Sequence, residues 1–390
     1  MFEDFLSEEI AALEKNGLKR ELRTLKSFQD SKIIFENKSV FNFCSNNYLG
    51  LASDSRLGQA VVEGIKQHGF GSGASRMVCG NTTVHRVLEE RLARFKGSEE
   101  CLLFSTGYMA NVGIIASLFD KNDIVFSDKL NHASIIDGIL LSQATMKRYP
   151  HNNIEALEKM IQESSGFRKR AIITDTVFSM DGDIAPLVDI VRLAKQYGCI
   201  VMVDEAHAVG VLGNHGKGAV EHFGLEGEVD VQMGTLSKAL GCFGAYCCGS
   251  RRLREFLINK ARSFIYTTAM PSSNAAAAIM ALDIVERDKL LREKLWENTR
   301  YLRAQLKLMG FNMLDSQTPI IPIIVGDNDK AVLMSQRLFD KNILIQAIRP
   351  PTVPPKSARL RLTVMASHKK DELDYLLNQL QQIGKELCLI

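Results

Sequence analysis

The stretch "AIITDTVFSMDGDIAPLVDIVRLAKQYGCIVMVDEAHAVG", Ala171 to Gly210, holds two apolar, β-branched runs on either side of a helical pattern. "AIITDTVF" and "CIVMVDEA" have the length and composition of strands, and "PLVDIVRLAKQYG" between them spaces its apolar residues near three and four. Strand, helix and strand in that order predict a parallel pair joined by a crossover. The same alternation runs outward from Cys101 to about Val285. "CLLFST", "DIVFSD", "TMKRYP", "VDVQMGT" and "GAYCCGS" supply further strands, and "YMANVGIIASLF", "HASIIDGILL" and "NIEALEKMI" further helices. The expectation is an α/β fold with a mainly parallel central sheet flanked by helices on both faces. In such sheets ligands collect where strands end and loops begin.

The flanks read differently. "EEIAALEKNGLKREL" predicts a helix and "KIIFENKSVFNF" short strands before residue 50. After the alternation, residues 273–310 predict one or two long helices, followed by strands at "PIIPIIVG", "ILIQAI" and "ARLRLTVMAS" and a final helix "KKDELDYLLNQLQQIGKEL". Three units are expected: residues 1–50, a large α/β domain over 51–285, and a smaller α+β domain over 286–390.

The 390 residues are 46% hydrophobic and 24% charged, with a net charge of +3 and no polybasic block. Nothing in that balance asks for nucleic acid or an anionic membrane, and a small-molecule ligand is the default. The eight cysteines form no C-x-x-C pair and sit mostly in apolar runs, as free thiols of a reducing cytosol do. The opening "MFEDFLSEEIAALEKNG" is acidic and lacks an apolar core, and no stretch is long enough to span a bilayer, so a cytoplasmic protein without a signal peptide is expected.

Polar residues punctuate the predicted strand ends. Asp204, Glu205 and His207 follow one strand; Asp204 is placed to hold a positive charge, His207 to donate to an oxygen beside it, and Glu205 points the other way in period two. Acids there often only cap a loop. The histidines His207, His215 and His222 have no ligand spacing, so no metal site is expected. "GTLSKALG" sets Lys238 among Leu236, Ala239, Leu240 and Phe243, where desolvation favours the neutral, nucleophilic amine over the ammonium of an ordinary solvated lysine. "FSTGYMAN" puts Gly107 and Tyr108 at a strand-to-helix junction, a place for phosphate. His132 and Ser179 stand at two more such junctions. Gly69, Gly71 and Ala74 have G-x-G-x-x-A spacing, but a helix rather than a strand precedes them, which excludes a dinucleotide fingerprint. In "AIRPPTVP" two prolines stiffen the loop that presents Arg349, a natural partner for a carboxylate, while Arg359 and Arg361 alternate with leucines and read as structural pairs.

"FSTGYMAN", "NHAS", "DTVFSMDGDIAP", "DEAHAVGVLG" and "GTLSKALG", in this order and spacing, resemble the fold-type I pyridoxal 5'-phosphate (PLP) enzymes, and within them the α-oxoamine synthases, from "FCSNNYLGL" to "RLRLTVMASH". That family joins an amino acid to an acyl thioester with loss of carbon dioxide. The resemblance implies a PLP aldimine on Lys238, which also acts as the base. It further implies Asp204 at the pyridinium nitrogen, His132 stacked on the ring and His207 at the phenolic oxygen. Gly107, Tyr108, Ser179 and Thr235 would help hold the cofactor, and Thr267 or Thr268 would reach the phosphate of a partner subunit, making the active unit a homodimer. Arg349 would clamp the amino-acid carboxylate. Arg20 would meet the acyl substrate, with Arg23 close enough to compete, and Thr352 and Asn47 are further substrate-side candidates. "AIRPPTVP" resembles the members that use L-alanine and a pimeloyl thioester of CoA or acyl carrier protein in biotin synthesis, rather than glycine or serine. Cys242, where serine is common, and Ser272, where proline is common, depart from the pattern without touching these residues. A catalytically inactive regulatory member would be expected to lack the lysine or the aspartate, and both are present.

Overall fold

The computed structural model describes residues 1–15 and 18–390. In chain order its strands are β1 (Lys32–Phe35), β2 (Lys38–Asn42), β3 (Glu100–Phe104), β4 (Ile124–Asp128), β5 (Thr145–Tyr149), β6 (Arg170–Asp175), β7 (Ile200–Asp204), β8 (Val231–Thr235), β9 (Ala245–Gly249), β10 (Ile320–Gly326), β11 (Ile343–Leu344), β12 (Gln346–Ile348) and β13 (Ala358–Thr363). Seven of them form the central sheet in the order β3-β9-β8-β7-β6-β4-β5. Only β9 runs antiparallel to its neighbours. The connection of β6 to β7 is the expected crossover, through the helix Leu187–Tyr197.

Except at the edge strand β5, both faces of this sheet are buried, which is why its strands read as continuous apolar runs. Along β4, Ile124 and Phe126 join one core and Val125 the other; along β7, Val201 and Val203 face one side and Met202 the opposite. Period two therefore fixes which of two cores each residue feeds.

Two smaller sheets complete the chain, β10-β13-β12 and β1-β2-β11. The run "ILIQAI", expected as one strand, is divided between them. Ile343 and Leu344 pair with β2, while Gln346 to Ile348 pair with β13, and buried Ile345 is the crossing point. The strands before residue 50 thus share a sheet with a segment from the far end of the chain. The N-terminal helix spans Phe2–Lys15 and buries none of its side chains. Its expected continuation through Asn16 and Gly17 lies outside the described residues, and residues 18–24 are not helical. The long pattern over 273–310 is two helices, Ser272–Arg287 and Lys289–Met309, divided at Asp288, whose side chain caps the second. Among the described residues no helix is long and apolar enough to cross a membrane.

Candidate functional site

A cavity of about 520 Å³ opens at the carboxyl ends of the parallel strands. Gly107, Tyr108, His132, Ser179, Asp204, His207, Thr235 and Lys238 all line it, brought from five separate strand ends.

Lys238 stands in the turn after β8, with its Nζ 3.4 Å from Thr235 Oγ1. Burial pulls its amine below the ordinary lysine range, against the opposing attraction of Asp204 and Asp175. The turn is closed by Gly241, which has a φ of 64°. A Cβ there would lie 2.4 Å from the backbone nitrogen of Ala52, so only glycine lets the turn pack so closely on that segment.

Asp204 ends β7 and is 4% exposed. Asn111 Nδ2 donates to its Oδ2 at 2.8 Å and the Ala206 amide to its Oδ1 at 2.9 Å, which fixes the carboxylate toward the cavity. Directly opposite in the sheet register is Asp175, also in the cavity wall. Burial first, then the adjacent Asp204, push Asp175 well above the carboxylate range. Its Oδ2 accepts the His132 amide at 2.7 Å, tying β6 to the loop that carries His132.

His132 caps the helix Ala133–Ser142. Its Nδ1 accepts the Ser134 amide at 3.3 Å and lies 2.8 Å from Ser134 Oγ, which itself accepts from Asn111 Nδ2. Nδ1 is therefore an acceptor and the ring proton is on Nε2. His207 is held neutral: burial first, then the charges of Lys238 and Arg361, pull it well below the usual histidine range. Its Nδ1 is 2.7 Å from the Tyr48 hydroxyl.

Gly107 and Tyr108 open the helix Gly107–Leu118, whose first turn is capped by Thr106 accepting from the Met109 amide. A Cβ on Gly107 would stand 2.7 Å from the Thr235 methyl, so the bare Cα leaves the free amides of the helix start accessible from the cavity. Tyr108 is half exposed and donates to Asp137 Oδ2 at 2.7 Å. The Ser179 carbonyl accepts from Arg361 Nε.

A second cavity of about 460 Å³ adjoins the first, and Gln346 and Ile348 belong to the walls of both. Arg20, Arg349 and Thr352 line this second space. Arg23 also lines it but is committed to a bidentate pair with Glu36, both contacts at 2.8 Å, and lies over the rings of Phe35 and Phe339. Arg20 has no acid partner among the described residues. Asn47 does not reach either cavity, because its amide is used up by the Gln29 carbonyl and the Ala52 amide. Thr267 lies apart, beside Arg76, Ser105 and Ser263, and the adjacent Thr268 bridges to Ser75.

Some residues of the cavity wall differ from the sequence expectation. Arg359 is paired, with Asp181. Arg361, expected to be a structural pair as well, has no carboxylate partner: it is 7% exposed, lines the first cavity, and donates to the Ser179 carbonyl, Thr363 Oγ1 and Asn46 Oδ1. Of the two acids in the facing loop, Asp181 pairs with Arg359 and Asp183 with His151, so neither is left for Arg361; an arginine buried at every second position of one strand was the available signal. Asp175, Asn111 and Tyr48 gave none, since each reads as an ordinary strand, helix or turn residue. Glu205 does point away from the cavity, into a buried pair with Lys96.

Known proteins give this geometry a context. An 8-amino-7-oxononanoate synthase of Citrifermentans bemidjiense is 48% identical over 386 residues, covering 98% of this chain and 99% of its own. A solved structure of SPT with a PLP internal aldimine superposes with a TM-score of 0.93 at 32% identity, covering 99% of this chain and 98% of that one. An 8-amino-7-oxononanoate synthase from Francisella tularensis superposes with a TM-score of 0.79 at 31% identity, covering 89% and 98%. The model of the family described as aminotransferase class I and II matches residues 38–380. With the fold-type I sheet, the cavity at its strand ends and that match over most of its length, the chain belongs to the aminotransferase class I and II family.

Proposed function

We propose that this chain is a PLP-dependent acyltransferase that condenses L-alanine with a pimeloyl thioester, of CoA or acyl carrier protein, to give 8-amino-7-oxononanoate, carbon dioxide and free thiol in biotin synthesis. The observation that carries the reading is a buried lysine, pulled toward its neutral amine, in one cavity with Asp204, His132 and His207. The residues present fit PLP. The open amides at Gly107 suit its phosphate, Asp204 a ring nitrogen, the His132 ring its face, His207 its phenolic oxygen, and the Lys238 amine its aldehyde. When bound, the cofactor supplies an electron sink for the pair left on the alanine Cα.

The chain's own groups do the rest. Lys238 takes the Cα proton, which its partly neutralised amine is suited to accept. The Cα then bonds to the thioester carbonyl carbon as the thiol leaves, the bond from Cα to the carboxyl group breaks as carbon dioxide departs, and a proton returns to Cα. Arg361 takes the alanine carboxylate, since it is the guanidinium in the cofactor cavity without an acid partner. Arg349, which faces the adjoining space with Arg20 and Thr352, then meets the distal carboxylate of the pimeloyl chain. Arg361→Lys keeps the charge but loses the fork, and should raise the KM for alanine on the order of tenfold with little change in pimeloyl-CoA saturation.

The working unit is a homodimer acting in the cytoplasm, in which Thr267 serves the cofactor phosphate of the partner. Support comes from the exposed apolar side chains Val78 and Tyr266, on the two segments that Ser75 and Thr268 bridge. Mass spectrometry of the product formed from L-alanine and pimeloyl-CoA, or pimeloyl carrier protein, tests the activity. Formation of 8-amino-7-oxononanoate with either carrier is the expected result. A preference for glycine with acetyl-CoA, or for serine with palmitoyl-CoA, would overturn it.

A further inference from the structure

We propose that Tyr48 is a positioning residue that sets the tautomer of His207, donating its hydroxyl to Nδ1 so that the imidazole proton sits on Nε2. The pair stands 2.7 Å apart, with the rings edge to face at 6.1 Å. Tyr48 is 1% exposed, held by the turn in which its amide donates to Asn46 and its carbonyl accepts from Ala366.

A hydroxyl beside an imidazole nitrogen can donate or accept, and the surroundings decide between the two. Arg361 lies against the Tyr48 oxygen and opposes the rise that burial imposes on its pKa, which still reaches about 12, so the hydroxyl keeps its proton. A guanidinium has five donors and no acceptor. Standing beside the oxygen, it cannot receive the O–H. Among the described residues the one acceptor at hydrogen-bonding distance is His207 Nδ1. Were Nδ1 protonated, the buried hydroxyl would have no acceptor. The ring is neutral and has a single proton to place, because burial first, then the positive charges of Lys238 and Arg361, disfavour a second proton there. That proton goes to Nε2, the nitrogen for which the described residues offer no partner. A chain of polarised bonds thus runs from Arg361 through Tyr48 to His207, linking the guanidinium proposed for the amino-acid carboxylate to the donor proposed for the cofactor's phenolic oxygen. Only this last consequence rests on the function proposed above.

The test is long-range ¹H–¹⁵N NMR of the His207 ring in cofactor-free protein, for the wild type and Tyr48→Phe, which keeps the aromatic ring and removes the hydroxyl. The wild type should show an unprotonated Nδ1 and a protonated Nε2, and Tyr48→Phe a mixture of the two tautomers. In loaded protein the variant should bind PLP more weakly by the inverse of its Nε2-protonated fraction, roughly twofold for an even mixture, and should shift the absorbance band of the bound cofactor. A wild-type His207 protonated on Nδ1 would overturn the proposal, as would an unchanged tautomer in Tyr48→Phe. If the variant does not fold, the wild-type spectrum alone decides. If the wild type takes up no PLP yet shows the proton on Nε2, the tautomer assignment stands and the cofactor reading falls.

Discussion

Lys238 is an ordinary lysine by its own letters, and its environment changes that. Desolvation in the strand-end cavity favours the amine, while Asp204 and Asp175 keep the shift moderate. Lys238→Ala should keep the fold by circular dichroism, lose the borohydride-fixed cofactor label from its peptide, and lower turnover on the order of 10³-fold or more. A second residue outside the cavity is strongly shifted. Burial acts to lower the pKa of His151, but Asp128 at 3.0 Å and Asp183 at 2.7 Å outweigh it and raise it to about 10. A group raised in the folded state stabilises fully below its unfolded pKa, about 6.5, and that contribution is lost as the pH climbs through the folded value. Urea unfolding of the wild type should therefore show stability declining from about pH 6.5 toward pH 10, and His151→Gln should remove most of that slope. The sequence did not mark His151, because both carboxylates that hold it come from other strand-end loops.

At the scale of elements, most strands of the central sheet were legible because burial on both faces leaves long β-branched runs, and the helices because their apolar residues recur near three and four. The helix start at Gly107 joins this local grammar to the site. Its amides are free because a helix start has no partners of its own, and they are reachable because a glycine faces the Thr235 methyl at the end of β8. Gly107→Ala should clash with that methyl at 2.7 Å, cost about 1–3 kcal/mol of stability and weaken PLP binding. Thr235→Ser in the same chain should restore part of the lost stability, and a double-mutant cycle in urea measures the coupling. "ILIQAI" departs from expectation because of partners far along the chain, since β2 and β13 each claim half of it, and residues 18–22, expected as helix, instead reach the wall of the second cavity.

For the whole molecule, the helix Phe2–Lys15 with no buried side chain and the exposed Phe70, Val78 and Tyr266 leave apolar surface that an isolated chain would keep in water. Light scattering should give the mass of two chains, and Val78→Asp together with Tyr266→Asp should shift it toward one with PLP uptake weakened; a monomeric wild type with full activity would contradict the shared site. The sequence by itself determined the alternation of strands and helices, hence a parallel sheet with polar residues at its carboxyl ends, because periods of 2 and 3.6 are local properties that report which face of an element is buried. It also placed Lys238, Asp204, His132 and His207 at such ends. Only the tertiary structure decided that Arg361 rather than Arg349 lines the cofactor cavity, that Asn46 and not Asn47 reaches its wall, that Arg23 is spent on Glu36 while Arg20 is not, and that Tyr48 meets His207. These are distances between residues tens to hundreds of positions apart. They follow from how the sheets and loops pack, and no local period of the sequence encodes them.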